Sequence, residues 1–410
     1  MTNLYIPVSG KVYDHEEINN AIAAAKDCWW TEGRFAKQFE TDFKKYLGVN
    51  YVSLVNSGSS ANLLALYSLT SSVFGKRQLK PGDEFITTSV AFPTTVNPGI
   101  MYGLKPVFVD VELDTLNINV KQIEKAITEK TRLIMIAHTL GRPFNLDIIM
   151  KICRKYNLWL IEDCCDALGS KYNRKYLGTF GDIATFSFYP AHQITMGEGG
   201  AVITNNPLIH RSIRQFRDWG RDCWCDTGKD NSCRKRFGWK LGDLPLGYDH
   251  KYIYSQVGFN LKLTDFQAAI GVAQLKKLPY FIRKRQENYN ILYEFFKEYK
   301  KYFILMEQDK RKVVSYFGFP IIVRSDSPFT RNQLTEYLEK NNIGTRNIFS
   351  GNLLKHPAYL YRKKSFKIIG DMKNADLIMN NAFWLGVWPG IGHDQMDYII
   401  HTIKRFLNEL

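Results

Sequence analysis

Leu158-Trp159-Leu160-Ile161-Glu162-Asp163 is an apolar run that ends in two carboxylates. Four successive apolar residues closed by charge read as a strand buried on both faces, the texture of a parallel sheet. Outward from it, similar short runs at 51–55, 84–88, 106–111, 132–137, 183–188 and 201–204 alternate with helical patterns. Seven candidate strands in that order predict an α/β fold with a mostly parallel sheet. After Thr264 the texture changes to a long helical region through about Lys301, then a strand-helix-strand pattern and an amphipathic stretch at 393–410. The change predicts a large domain over 1–280 and a smaller C-terminal α/β domain over 281–410.

A chain of 410 residues with 45% hydrophobic and 23% charged content can close a large core. The apolar stretches at 159–161 and 183–188 fall far short of the roughly 20 residues of a membrane span. Residues 1–11 lack a basic segment followed by an apolar run, so the expected location is cytoplasmic, with no membrane partner. The net charge of +15 admits nucleic acid, anionic substrates or an acidic partner. Much of the excess is scattered lysine, as at Lys297, Lys300 and Lys301, and no zinc-finger or RNA-binding pattern accompanies it, so no nucleic acid is expected. Seven cysteines without an export signal argue against a disulfide framework and direct attention to metal or redox roles.

Ligands of such sheets bind beyond the carboxyl ends of the strands. Three features lie there. Asn56-Ser57-Gly58-Ser59-Ser60-Ala61-Asn62 places small polar residues between a strand and a helix, either an anion seat or a capped turn. Asp163, at the rim of an apolar strand, needs a cation or several donors, and a pyridinium nitrogen would satisfy it. Ser187-Phe188-Tyr189-Pro190-Ala191-His192 follows the sixth strand and precedes the turn Gly197-Glu198-Gly199-Gly200.

Together these residues resemble the sugar aminotransferase group of the aspartate aminotransferase type I fold. In that group a lysine before the glycine turn holds the cofactor aldehyde, and here His192 stands in its place. The resemblance implies that Asp163 pairs with the pyridine nitrogen and that Phe92, in Ala91-Phe92-Pro93-Thr94, stacks on the ring. It also implies that Gly58, Ser59 and Ser187 hold the phosphate. Asn260, in Gly258-Phe259-Asn260-Leu261, matches a residue that reaches the phosphate of a neighbouring subunit, which implies a homodimer. Without an ε-amine the cofactor is held non-covalently, and its resting form is pyridoxamine phosphate. His192 then serves as the base that removes a proton from the aminomethyl carbon, and a 4-keto sugar loses its carbon-3 hydroxyl.

Cys165, Cys223, Cys225 and Cys233 are separated by 57, one and seven residues. That spacing resembles the 2Fe-2S site of the 3-dehydrase branch acting on CDP-4-keto-6-deoxy-D-glucose, as do Asp218-Trp219-Gly220-Arg221-Asp222-Cys223 and Gly247-Tyr248-Asp249-His250-Lys251-Tyr252. Four thiolates suit such a cluster, while zinc and plain structural thiols are alternative uses. Cys164 is a substitute ligand, and Cys28 and Cys153 are expected in the core. Asp166 departs from the glutamine or histidine of many aminotransferases of this group.

These resemblances imply a 3-dehydrase of CDP-4-keto-6-deoxy-D-glucose in 3,6-dideoxyhexose synthesis. Electrons would come from a separate NADH-dependent flavin and iron-sulfur reductase, since no dinucleotide fingerprint follows a strand here. Arg346, in Gly344-Thr345-Arg346-Asn347, is a candidate contact for the sugar nucleotide, or else a helix cap. Two rival readings remain: a cluster-independent GDP-4-keto-6-deoxymannose 3-dehydratase, and a regulatory protein on an aminotransferase scaffold, which salt-sensitive DNA binding would reveal.

Overall fold

The computed structural model describes residues 5–409; residues 1–4 of the start read for an export signal, and Leu410 of the last amphipathic stretch, lie outside them. The seven expected strands form as β1 (Tyr51–Val55), β2 (Glu84–Thr88), β3 (Lys105–Val109), β4 (Thr131–Ala137), β5 (Trp159–Asp163), β6 (Ile183–Ser187) and β7 (Gly200–Thr204). The C-terminal part adds β8 (Phe303–Ile304), β9 (Gly318–Val323), β10 (Arg346–Asn347), β11 (Lys367–Ile369) and β12 (Ala382–Gly386).

The large sheet has the order β1-β7-β6-β5-β4-β2-β3-β11. Only β7 runs against its neighbours; the remaining pairs are parallel. The eighth strand, β11, is supplied by the C-terminal part and pairs with β3. Alternate residues of β5 explain its unbroken apolar texture: Leu160 joins the core on one face, while Trp159 and Ile161 join the core on the other. Every residue of β2, β5, β6 and β7 is buried.

A second sheet, β8-β9-β12-β10, packs with Tyr289, Leu292 and Phe296 of the helix Asp265–Lys297 and with Ile399 and Ile403 of the helix His393–Asn408. The 33-residue helix Asp265–Lys297 runs through position 280, where the domain boundary was expected, and belongs to the cores on both sides of it. Among the described residues no helix is long and apolar enough to cross a membrane. Cys153 is buried as expected, but Cys28 is exposed, in the turn after the helix His15–Lys26, and so is not a core residue.

Parallel strands point their carboxyl ends the same way. Asp163 ends β5, Ser187 ends β6, and Ser57 follows β1 to cap the helix Gly58–Ser68 through its side chain. The candidate residues therefore gather at one edge of the sheet, facing β10 and β12.

Candidate functional site

A cavity of about 730 Å³ opens at this edge, lined by Gly58, Ser59, Phe92, Asp163, Ser187, His192 and Arg346, all expected from the sequence. Cys165 and Asp166 line it too, and Phe317 and Trp384 close it from the small sheet. Asn260 is not among the lining residues. It accepts a hydrogen bond from Lys262 Nζ at 2.7 Å and pairs with Asp218 through a backbone bridge.

Asp163 is 4% exposed. Its Oδ2 accepts hydrogen bonds from Asn62 Nδ2 at 2.8 Å and Thr95 Oγ1 at 2.7 Å, and its Oδ1 accepts one from the Cys165 amide at 3.1 Å. Thr185 Oγ1 donates in turn to Asn62 Oδ1 at 2.7 Å, which fixes the amide. A carboxylate with three donors and an open side toward the cavity is oriented for a further donor.

At the other end, Ser57 caps the helix Gly58–Ser68 by accepting from the Ser60 amide at 3.1 Å, which leaves the amides of Gly58 and Ser59 free of this cap. The strands close in tightly here. A Cβ on Gly58 would lie 2.4 Å from Ser187 Cβ, and one on Gly200 would lie 2.4 Å from Ser57 O. Both positions therefore exclude side chains, and Gly58 and Ser59 line the cavity at the start of the helix, where backbone amides suit an anion.

His192 sits on the wall between these ends. Its Nδ1 is buried without a hydrogen-bond partner and stands 3.6 Å from Asp166 Oδ1. Its carbonyl accepts from Arg285 Nη2 at 2.9 Å, and the Arg285 guanidinium is otherwise spent on the carbonyls of Tyr316 and Phe317. Burial, reinforced by the Arg285 charge, pushes the His192 imidazole down to about 3. Burial and the Asp163 charge push Asp166 up to about 8. The pair is thus neutral imidazole beside neutral carboxylic acid at pH 7.

Cys223, Cys225 and Cys233 lie elsewhere, around a second, small cavity shared with His250. Cys165, the fourth expected ligand, lines the main cavity. Burial, reinforced by the Asp163 charge, pushes the Cys165 thiol well up.

The model of the DegT/DnrJ/EryC1/StrS aminotransferase family matches residues 11–404. The chain belongs to this family. Among members of known sequence, it is 50% identical over 401 residues to the lipopolysaccharide biosynthesis protein RfbH of Salmonella typhimurium, covering 98% of this chain and 91% of that one. It is 48% identical over 399 residues to the dTDP-4-dehydro-2,6-dideoxy-D-glucose 3-dehydratase of Saccharopolyspora spinosa, covering 97% and 86%. A solved structure of the Escherichia coli GDP-4-keto-6-deoxy-D-mannose-3-dehydratase with bound hydrated PLP matches with a TM-score of 0.87 at 32% identity, over 97% of this chain and 99% of that one. The fold is that of the DegT family, as the strand pattern predicts.

The cavity fits the pyridoxal-type cofactor on its own chemistry: an oriented carboxylate at one end, a side-chain-free backbone cradle at the other, and the half-exposed Phe92 ring beside them. Sequence reasoning missed Asn62, Thr95 and Arg285. Asn62 stood inside the quoted polar motif and Thr95 two residues beyond Pro93, so both lay within reach of a reading that asked what satisfies Asp163. Arg285 gave no signal, being one more basic residue in a long helix.

Proposed function

We propose that this chain is a pyridoxamine-phosphate-using nucleotide-sugar 3-dehydratase of deoxysugar synthesis. The observation that carries the reading is the unpartnered Nδ1 of His192 in a cavity that, among the described residues, no lysine lines. A side chain able to move a proton, but unable to hold an aldehyde covalently, occupies the wall where the group's lysine is expected.

When bound, the cofactor supplies an amine that condenses with a sugar ketone and a ring that accepts the electrons released at the aminomethyl carbon. Asp163, held by Asn62 and Thr95, pairs with the ring nitrogen. Gly58, Ser59 and Ser187 hold the phosphate, Phe92 covers the ring, and Asn260 serves the phosphate site of a second copy in a homodimer. His192 takes the proton. A neutral imidazole has the required lone pair, and an anionic occupant of the cavity raises its proton affinity where the step needs it. Protonated Asp166 avoids placing a second negative charge beside Asp163. Arg346, on β10 at the cavity mouth, meets the sugar nucleotide.

The finer reading is a 3-dehydrase acting on CDP-4-keto-6-deoxy-D-glucose, in which two electrons and two protons replace the carbon-3 hydroxyl with hydrogen and release water. A 2Fe-2S cluster and a separate NADH-dependent flavin and iron-sulfur reductase supply the electrons. The cysteine spacing and the shared cavity of Cys223, Cys225 and Cys233 support this part.

Incubation of the full chain and pyridoxamine phosphate with CDP-, dTDP- and GDP-linked 4-keto-6-deoxy sugars in D₂O tests the reading. The expected result is deuterium at the aminomethyl carbon and loss of the carbon-3 hydroxyl with the CDP sugar. Absence of exchange with all three, or net amino transfer, overturns it.

A further inference from the structure

Residues 315–317, which lead into β9, offer three successive main-chain carbonyls to two side chains. Gln193 Nε2 donates to Ser315 O at 3.0 Å and also to Asp166 O. Arg285 Nη1 donates to Tyr316 O at 3.0 Å and to Phe317 O at 3.3 Å, while its Nη2 donates to His192 O at 2.9 Å. Both side chains are buried. A guanidinium spreads its donors in a rigid planar fork, so one Arg285 side chain holds two separate segments at a set distance. A buried guanidinium ordinarily calls for a carboxylate partner, yet among the described residues the hydrogen bonds of Arg285 go to main-chain carbonyls. That choice of partners makes it a bridge between the His192 loop and residues 315–317.

The far side of the bridge is itself fixed. The Ser315 amide donates to Ser170 Oγ at 2.8 Å, Ser170 Oγ donates to Gly141 O at 2.8 Å, and the Phe317 amide donates to Leu140 O at 3.2 Å. From this anchored run Phe317 turns its ring to His192, with centroids 5.2 Å apart and planes at 43°. Trp384 of β12 backs the Phe317 ring, again with centroids 5.2 Å apart. The His192 Nδ1 is without a hydrogen-bond partner, so the direction of the imidazole rests on the Phe317 face and on where the main chain carries it. A base displaced by about 1 Å from its proton loses on the order of 100-fold in rate.

We propose that Gln193 and Arg285 are positioning residues for the base: together they tie the His192 main chain to residues 315–317, which sets Phe317 against the imidazole and the imidazole against the cavity. The inference rests on the dehydratase reading above. Full-length protein carrying Arg285→Lys or Gln193→Met tests it. Lysine keeps the charge, but its single ammonium cannot bridge both segments, and methionine keeps the length of glutamine without its donors. Hydrogen–deuterium exchange mass spectrometry of the cofactor-free protein should show faster exchange in peptides covering residues 188–196 and 314–318, with the rest of the chain as in the parent. Pyridoxamine phosphate affinity, and the sugar concentration that half-saturates aminomethyl exchange in D₂O, should stay within about two-fold of the parent. The saturating exchange rate should fall by about 10-fold or more in Arg285→Lys and by less in Gln193→Met. Circular dichroism checks folding, and Gln193→Met, which leaves the buried cation in place, decides alone where Arg285→Lys does not fold. A parent-like saturating rate, a loss carried by cofactor affinity or half-saturation, or loosening spread evenly over a folded variant overturns the inference. A parent that itself shows no aminomethyl exchange overturns the dehydratase reading instead.

Discussion

His192 Nδ1 and Asp166 Oδ1 stand 3.6 Å apart on the cavity wall, just beyond a hydrogen bond, and their proton affinities are displaced in opposite directions. Burial disfavours charge on both, with Arg285 adding to it at the imidazole and Asp163 adding to it at the acid. The pair is held neutral chiefly by burial.

Asp166 gives this arrangement a pH signature. Its ordinary value is 3.8 and its value in the fold is about 8, so between those limits the unfolded chain has lost a proton that the native chain retains. Native stability should therefore fall as pH rises through that window, and the contribution should be fully lost above about 8. Asp166→Asn removes the dependence. In urea unfolding without cofactor at pH 5, 6, 7 and 8, the variant's advantage should grow with pH, by up to about 1.4 kcal/mol per unit. A constant difference across the series would contradict the assignment.

His192→Asn tests the base directly. Asparagine keeps a polar side chain on the wall but takes up no proton at neutral pH, so aminomethyl exchange in D₂O should drop by roughly 100-fold or more. Pyridoxamine phosphate affinity should stay within a few-fold of the parent, because the anchoring groups are Asp163, Gly58, Ser59 and Ser187. Undiminished exchange would assign the proton transfer to another group.

The sheet was legible because strands buried on both faces carry their own signal, and β5 shows it in four consecutive apolar residues. The edge strand β11 was not. Lys367 and Ile368 are exposed and the pairing is decided by β3, far away in the chain. Most site residues were legible because they follow strands whose carboxyl ends must converge. What the sequence hid was long-range satisfaction: that Asn62 and Thr95 turn to Asp163, that Arg285 reaches the His192 carbonyl, and that His250 lines one small cavity with Cys223, Cys225 and Cys233. Each depends on which helix or loop comes to lie behind the strand ends, and residue spacing does not encode that.

Glu162, next to Asp163, reports on the support beneath the site. It is fully buried; its Oε1 accepts from the amides of Phe180 and Gly181 at 2.9 and 2.7 Å, and its Oε2 accepts from Gly178 at 3.1 Å and lies 3.1 Å from His138 Nε2. Burial alone would raise its pKa, but His138 and these amides outweigh it and hold it below the ordinary 4.5. The stabilisation is present above pH 4.5 and is lost as pH falls through the folded-state value. Glu162→Gln should cost about 3–5 kcal/mol at pH 7. His138→Ala should cost a similar amount, and the double variant should lose much less than the sum. Additive losses would mean that the two side chains are not coupled.

Gly58→Ala probes the phosphate cradle through space alone. An added methyl would lie 2.4 Å from Ser187 Cβ, 2.7 Å from Ser187 Oγ and 3.1 Å from Cys165 Sγ. The contact with Ser187 Cβ offers no flexible end to yield, so the start of the helix Gly58–Ser68 must move away from the end of β6. That shift separates the Gly58 and Ser59 amides from Ser187, the groups assigned to the phosphate. Pyridoxamine phosphate affinity, measured by equilibrium dialysis, should fall about 10-fold or more, since a misplaced anion seat loses charge-assisted hydrogen bonds worth roughly 1.5–3 kcal/mol each. Ser59→Ala, which adds no atom, should cost less. The double variant Gly58→Ala with Ser187→Gly removes the clashing carbon and should recover part of the folded stability lost in Gly58→Ala. It should not recover cofactor affinity, because the Ser187 hydroxyl is gone. Recovery of stability and binding together would place the phosphate away from Ser187, and recovery of neither would show that Gly58 is constrained by something other than this contact.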